Sequence, residues 1–259
     1  MSISFEGKTA FITGASSGIA RTAAIMFASR GAFVAAIDVT DASETVETIR
    51  NAGGTAESFI CDVSIESQVK KAADDAVAAF GRIDIAFNCA GIGPDGVRIP
   101  YCPLTETNAD DWQKIIDVNL TGVFFCLKHE LIQMQKQGSG AIVNVSSTAG
   151  HRFPPGFHAY CPSKSGVVAL TELAANENAR KGIRVNCVTP GPTAGTQMSS
   201  NTSSSNEQMD DIVVNSLIPM GKYGRMEDVV EAVMWLSSDL AGHTNGQNIF
   251  VDGGMHVKS

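Results

Sequence analysis

Tyr160 and Lys164 stand four residues apart, with Ser147 thirteen residues upstream. On a helix a spacing of four is about one turn, so the phenol and the ammonium project from the same face, one above the other. A free tyrosine titrates near ~10 and exchanges protons poorly at neutral pH. A positive charge a few ångströms away favours the phenolate and is expected to draw the Tyr160 pKa down towards the working range. The Ser147 hydroxyl, arriving from a strand end, can hold a substrate oxygen beside the phenol. These three side chains predict a proton-transfer site for a carbonyl or an alcohol.

Such a site needs a scaffold that brings a strand end to a helix face, and the chain supplies the pattern for one. Short apolar runs at 9–13, 33–38, 56–62, 83–88, 141–146, 184–189 and 248–251 alternate with longer amphipathic stretches at 20–30, 42–52, 66–80, 110–137, 160–181 and 226–238. Near-continuous apolar strands joined by helices indicate a parallel sheet covered on both faces. With right-handed crossovers this becomes an α/β, Rossmann-like doubly wound sheet of about seven strands, expected as a single domain over 1–259. Two stretches break the rhythm. Residues 91–107 carry three prolines and three glycines, and residues 190–206 are rich in Ser, Thr and Asn. Long loops after strand ends are expected to bind ligands. The second opens a segment, 190–216, read as a substrate lid whose run 199–206 has no apolar side chain to bury. Pro162 falls in the first turn of its helix, where proline sacrifices no helical bond.

At the first strand-to-helix turn lies Thr13-Gly14-Ala15-Ser16-Ser17-Gly18-Ile19-Ala20. Glycines allow a tight turn and close approach to a pyrophosphate, while the helix N-terminus offers free N–H donors. Asp38, twenty residues beyond Gly18, ends the second strand. Its carboxylate can accept from adenosine ribose hydroxyls and would repel a 2′-phosphate. No basic side chain stands at Ser16, Ser17, Val39 or Thr40, so NAD is the expected cofactor rather than NADP.

The net charge of −8 and pI near 5.1 argue against nucleic acid and anionic membranes as partners. With 44% hydrophobic and 18% charged residues over 259, the chain has the makeup of a globular enzyme with a sizeable core. Six cysteines show no metal-ligand spacing and read as reduced thiols of a cytoplasmic protein. No metal is expected. No apolar run is long enough to span a membrane, and strand-like sequence beginning at Lys8 leaves no room for a secretory leader. The Asn-x-Ser/Thr triplets at Asn119, Asn144 and Asn201 are therefore not read as glycosylation sites.

With these pieces placed, the chain resembles the short-chain dehydrogenase/reductases of about 250 residues, from Lys8 to Gly254. The resemblance rests on the Thr-Gly-x-x-x-Gly turn at 13–18, Asp62-Val63, Asn88-Cys89-Ala90-Gly91, Asn119, Ser147, Tyr160 with Lys164, Pro190-Gly191 and Val251-Asp252-Gly253-Gly254. It implies that Asp62 and Val63 flank the adenine, and that Asn88, Ala90 and Gly91 face the adenosine ribose. It places Asn119 beside a proton-relay water, with a cap on a helix distortion as the alternative. Lys164 would also hold the nicotinamide ribose, and Pro190 and Gly191 would pass the nicotinamide. Thr193 and Thr196 compete for its carboxamide. Departures from the family pattern are Ala20 for a third glycine, Cys89 for a second asparagine, and a longer loop after Gly91.

The implied activity is hydride transfer between NAD and a small secondary alcohol or ketone, with Tyr160 as acid-base and Ser147 holding the reacting oxygen. An NADPH-dependent 3-oxoacyl ketoreductase and a non-catalytic dinucleotide sensor or scaffold are the alternatives. Candidate substrate walls are 94–102, 149–158 and 194–209. There His151, Arg152 and His158 suit an acid or polyol, whereas Phe153, Pro154, Pro155 and Phe157 suit an apolar or cyclic substrate. Apolar residues along 110–137 and 160–181, including Val118, Phe124, Leu170 and Leu173, exceed what one sheet-facing side needs. In the resembled family these helices pair across a two-fold axis, which implies a homotetramer.

Overall fold

The computed structural model describes residues 3–96, 98–196 and 212–257. Seven strands form one all-parallel sheet in the order β3-β2-β1-β4-β5-β6-β7. They are β1 (Thr9–Thr13), β2 (Phe33–Asp38), β3 (Thr55–Ile60), β4 (Ile85–Asn88), β5 (Gly140–Val145), β6 (Ile183–Pro190) and β7 (Asn248–Val251). The order reverses between β1 and β4, which opens a crevice at their carboxyl ends.

Alternation along the strands divides the core in two. Ile12, Val34, Ala36, Phe87, Val143 and Val188 face α1 (Gly18–Ser29), α2 (Ser43–Asn51) and the last long helix, α8 (Met226–Ser237). Phe11, Ala35, Ile37, Ile142, Val185 and Cys187 face α3 (Glu66–Phe80), α5 (Gly122–Gln137) and α7 (Tyr160–Asn178). Burying both faces demands the continuous apolar runs read in the sequence.

Most boundaries fall within two residues of expectation. Asp62 lies beyond β3, because pairing with β2 stops at the Asp38–Ile60 partners. The expected helix over 110–137 divides into α4 (Ala109–Ile116), a π-type turn at Asp117–Thr121, and α5. Asn108 caps α4 by accepting from the Asp110 N–H at 2.7 Å. The π-type turn carries Asn119 into the interior, a feature that such turns often have at functional sites. Short elements had no periodic signal long enough to read, among them a 3₁₀ turn at Leu104–Glu106 and α6 (Ala149–Arg152). Within the expected lid, residues 197–211 lie outside the described residues. After them Ile212–Leu217 forms a further π-type segment, and Thr193 bridges to Gly224. Among the described residues no helix is long and apolar enough to cross a membrane, all six cysteines are free, and no metal-binding cluster is found.

Candidate active site

A cavity of about 630 Å³ opens at the β1/β4 reversal, within the roughly 300–1,000 Å³ usual for ligand sites. Gly14, Ser16, Ser17, Gly18 and Ile19 form one wall, and Asp38 closes the end of β2. Asp62 and Val63 follow β3, and Ala90 and Gly91 follow β4. Thr40, Cys61 and Lys114, which the sequence does not mark as binding residues, also reach this wall, and Ile92, Gly93 and Arg98 reach it from the loop expected to bind ligands. They come from loops and from α4, where no local motif marks them.

The backbone explains the glycine turn. Gly14 has φ +79, and a Cβ there would stand 3.1 Å from Ala90 Cα, so the turn at β1 and the turn after β4 touch through glycine. Thr13 locks the same pair of turns by accepting from the Cys89 and Ala90 N–H groups, each at 3.1 Å. Helix α1 then starts with Ser17 at its N-cap making no side-chain bond to the helix, and with no acidic residue in its first turn. Its orphan N–H donors thus face the cavity free of a competing carboxylate.

Asp38 is half-buried and heavily bonded. Oδ2 accepts from Ser16 N–H at 3.0 Å and Ser16 Oγ at 2.7 Å, and Oδ1 accepts from Thr40 N–H and Oγ1, each at 3.0 Å. Burial alone would raise its pKa, but the Thr40 and Ser16 donors outweigh it and hold the carboxyl below its ordinary value. The carboxylate is therefore charged and fixed in direction. Asp41, not Asp38, serves α2, by accepting from Ser43 N–H at 2.9 Å. A large cleft, a glycine cradle, free helix-end donors and an anchored acid at the second strand fit a dinucleotide.

Ser147, Tyr160, Lys164 and Asn119 converge at the other end. Ser147, two residues past β5, lies close enough to the Tyr160 phenol to lower its pKa. Its Oγ also accepts from Ala149 N–H at 3.2 Å, which fixes the hydroxyl at the start of α6. Tyr160 opens α7 and is buried, packed with Ile99, Ile115 and Ala159. Lys164, one turn on, is also buried; Nζ donates to Val145 O at 2.9 Å and stands 5.8 Å from the Tyr160 ring centroid. Asn119 holds both backbone groups of Ile92, accepting from N–H at 2.8 Å and donating to O at 2.7 Å, and donates to Ser163 Oγ at 3.2 Å. A Cβ on Gly91 would lie 3.3 Å from both Asn119 Oδ1 and Lys164 Nζ, so this end meets the cavity at Gly91.

The electrostatics correct one expectation. Burial pushes the Tyr160 phenol up to about 12, against the Ser147 hydrogen bond, which lowers it. Burial likewise lowers the Lys164 ammonium, opposed by the Cys89 and Cys187 thiols. The ammonium is spent on the Val145 carbonyl rather than on the phenol, and desolvation disfavours both charged forms.

A second correction concerns Asn88. Its side chain does not reach the cavity but points into the core, where Nδ2 donates to Asn144 Oδ1 at 2.9 Å and Glu130 Oε2 at 3.0 Å. Pro190 and Thr193 are buried, with the Thr193 hydroxyl donating to Gly191 O at 3.0 Å. Of the two threonines, Thr196 reaches the cavity wall. His151 turns to Asn248 and Phe250, Arg152 donates to Met255 O, and His158 contacts Pro100 O at 3.3 Å.

Comparison with known proteins agrees with this geometry. The family described as "Enoyl-(Acyl carrier protein) reductase" matches residues 14–256. A short chain dehydrogenase/reductase of Aspergillus oryzae is 39% identical, covering 98% of this chain and 97% of the relative. A 3-oxoacyl-[acyl-carrier-protein] reductase of Thermotoga maritima is 36% identical, covering 97% of this chain and 99% of the relative. Among solved structures, an NAD+-bound xylitol dehydrogenase matches with TM-score 0.87 and 32% identity over 96% of this chain and 99% of that one. An Agrobacterium tumefaciens putative 2-deoxy-d-gluconate 3-dehydrogenase with bound NADP matches with TM-score 0.88 and 31% identity over 98% of each chain. The chain belongs to the short-chain dehydrogenase/reductase family, and its class is that of dinucleotide-dependent oxidoreductases.

Proposed function

We propose that this chain transfers a hydride between NAD(H) and a secondary alcohol or ketone, with Tyr160 exchanging the proton at the reacting oxygen. The observation that carries the reading is the convergence of Ser147, buried Tyr160 and buried Lys164, joined at Gly91 to a cavity ending in Asp38. A bound dinucleotide would supply the hydride donor or acceptor; Gly14, Gly18, Asp38, Asp62, Val63, Ala90 and Gly91 would hold it. Ser147 directs a substrate oxygen to the Tyr160 phenol and stabilises the charge that develops there. Lys164 keeps a positive charge below the phenol, and Asn119 fixes the Ile92 backbone beside it.

Asp38 favours NAD: its fixed negative charge suits ribose hydroxyls and opposes a 2′-phosphate. The aromatic series Tyr101, Phe157 and Tyr160, with centroids 5.3 and 6.0 Å apart, suits an apolar or ring-bearing alcohol. The basic groups that would suit an acid, His151 and Arg152, are engaged with β7 and the segment after it. A second copy would cover the apolar surface of α5 and α7, where Phe124 and Leu173 are 46% and 54% exposed, giving the two-fold pairs of a homotetramer. A panel of cyclic and linear secondary alcohols, assayed with NAD and with NADP by formation of reduced nicotinamide, tests the activity. NAD-linked turnover of ring alcohols is expected; turnover with NADP alone, or none with any alcohol or ketone despite cofactor binding, overturns it. Light scattering that finds only monomer removes the assembly.

A further inference from the structure

Beneath the catalytic ends runs a buried polar row that the proposed reaction does not use. Thr13, Asn88, Asn144 and Cys187 are register partners on β1, β4, β5 and β6, one row below the loops that bear Ala90, Gly91 and Ser147. The donors run in one direction. Asn144 Nδ2 donates to Thr171 Oγ1 at 2.9 Å, Thr171 Oγ1 donates to Val167 O at 2.8 Å, and Asn88 Nδ2 donates to both Asn144 and Glu130. Glu130, from α5, is 1% exposed. Among the described residues two oxygens of this set have no partner, Glu130 Oε1 and Asn88 Oδ1, and they belong to the two groups already joined through Asn88 Nδ2 and Glu130 Oε2.

Two buried acceptors without donors are costly, and a buried carboxylate with a single amide donor costs more. One proton removes both defects. A carboxylic acid O–H can donate to the amide oxygen while the amide N–H donates back, a closed acid–amide pair. Turning the Asn88 amide over would set its oxygen against Glu130 Oε2 and would also call for a proton there. The surroundings offer no compensating charge. β4, β5 and α7 present neutral Asn88, Asn144 and Thr171, and on α5 the nearest titratable group is the Cys126 thiol, itself pushed well up by burial and by Glu130, with Cys61 beyond it. Among the described residues Glu130 has no ion-pair partner; burial, opposed by the Asn88 bond, pushes its carboxyl up to about 8.

We propose that Glu130 is held as a carboxylic acid paired with the Asn88 amide, and that this neutral pair positions the ends of β4 and β5 on which Gly91 and Ser147 are mounted. Glu130 is thus a positioning residue, acting through Asn88 and Asn144. Ionisation in place leaves a buried charge with a single amide donor and loosens both strand ends. The positioning half rests on the proposed function; the protonation half does not.

The experiment compares the full-length wild type with Glu130→Gln, whose amide reproduces both contacts without titrating. Infrared difference spectra should show a protonated-carboxyl band in the wild type at neutral pH that disappears as pH rises through about 8 and is missing from Glu130→Gln. In denaturant titrations the wild-type folding constant should fall relative to that of Glu130→Gln by about tenfold per pH unit between its ordinary value of 4.5 and about 8, then level off. The sign follows from the raised folded pKa: the neutral form is the stabilising one, and it is lost with rising pH. The ratio of wild-type to Glu130→Gln kcat/KM should drop about tenfold by one pH unit above 8, a change in which the shared Tyr160 titration cancels. Absence of the carboxyl band, or parallel stability profiles, overturns the acid–amide pair. A glutamine variant that fails to fold does so too. A carboxyl band with a flat kcat/KM ratio overturns the positioning role and leaves protonation standing. If turnover is missing altogether, the band and the folding profiles still decide the protonation half, so the two readings fail separately.

Discussion

At the β2 end of the cavity, the half-buried Asp38 receives four hydrogen bonds; in the core below the end of β4, the buried Glu130 receives one. Their carboxyls move in opposite directions, Asp38 below its ordinary value and Glu130 up to about 8. The same contrast runs through their surroundings. Around Asp38 the chain offers backbone N–H groups, hydroxyls and glycines at an open cleft, where a charged, hydrated ligand can exchange water for fixed dipoles. Tyr160, Lys164 and Glu130 are themselves buried and shifted towards their neutral forms. One region is built to keep a charge and the other to make charge expensive, as a proton-transfer site requires if charge is to appear only at the reacting oxygen.

The contrast breaks if the buried end proves dispensable, so the largest effect is expected there. Tyr160→Phe should lower kcat/KM by about 10²–10⁴ while leaving the dinucleotide Kd within a fewfold, measured by steady-state kinetics and fluorescence titration. The ring still packs on Ile99 and Ala159, but no proton can be exchanged. At the open end, Asp38→Ser with Val39→Arg should swing the NAD-to-NADP ratio of kcat/KM by about 100-fold, or about 2.7 kcal/mol, towards NADP. An unchanged ratio would mean that Asp38 does not read the ribose.

Gly14→Ala probes the seam between the two ends. Its φ of +79 and the 3.1 Å approach to Ala90 predict a loss of about 1–2 kcal/mol, visible as a lower denaturation midpoint. The smallest effect sharpens the account of Asp38. Thr40→Val removes a hydroxyl donor, so the Asp38 pKa should rise towards its ordinary value. A lowered folded pKa means that the charged form is kept until pH falls through it. In the variant, NAD binding should therefore weaken at a higher pH on acidification, by about threefold near the midpoint. Coincident titrations of the two proteins would assign the anchoring to Ser16 and the Thr40 backbone N–H.

Legibility in the sequence followed the same division. The turn at 13–18, Asp38, and the triad of Ser147, Tyr160 and Lys164 were readable because each is set by local spacing, by a strand end, or by one helical turn. Asn88 was misplaced because a residue at a strand end can face the cleft or the core, and only the register with Asn144 and the approach of Glu130 from α5 settle which. The wall residue Lys114 escaped notice because a surface helix brings it there without any repeat or motif, whereas Arg98 and Thr196 lie in stretches expected to line the site.

What the sequence determined by itself was the order of strands and helices, the parallel sheet, the glycine turn and the spacing of Ser147, Tyr160 and Lys164. These depend on periodicity, chain direction and backbone freedom, which are properties of short segments. The tertiary structure alone decided which titratable groups are dry. Burial around Tyr160 reversed the pKa shift that the spacing to Lys164 suggested, and a partner 42 residues away made Glu130 half of a pair with Asn88. Desolvation sums over every neighbour that folding brings near, and most of those neighbours are distant in the chain.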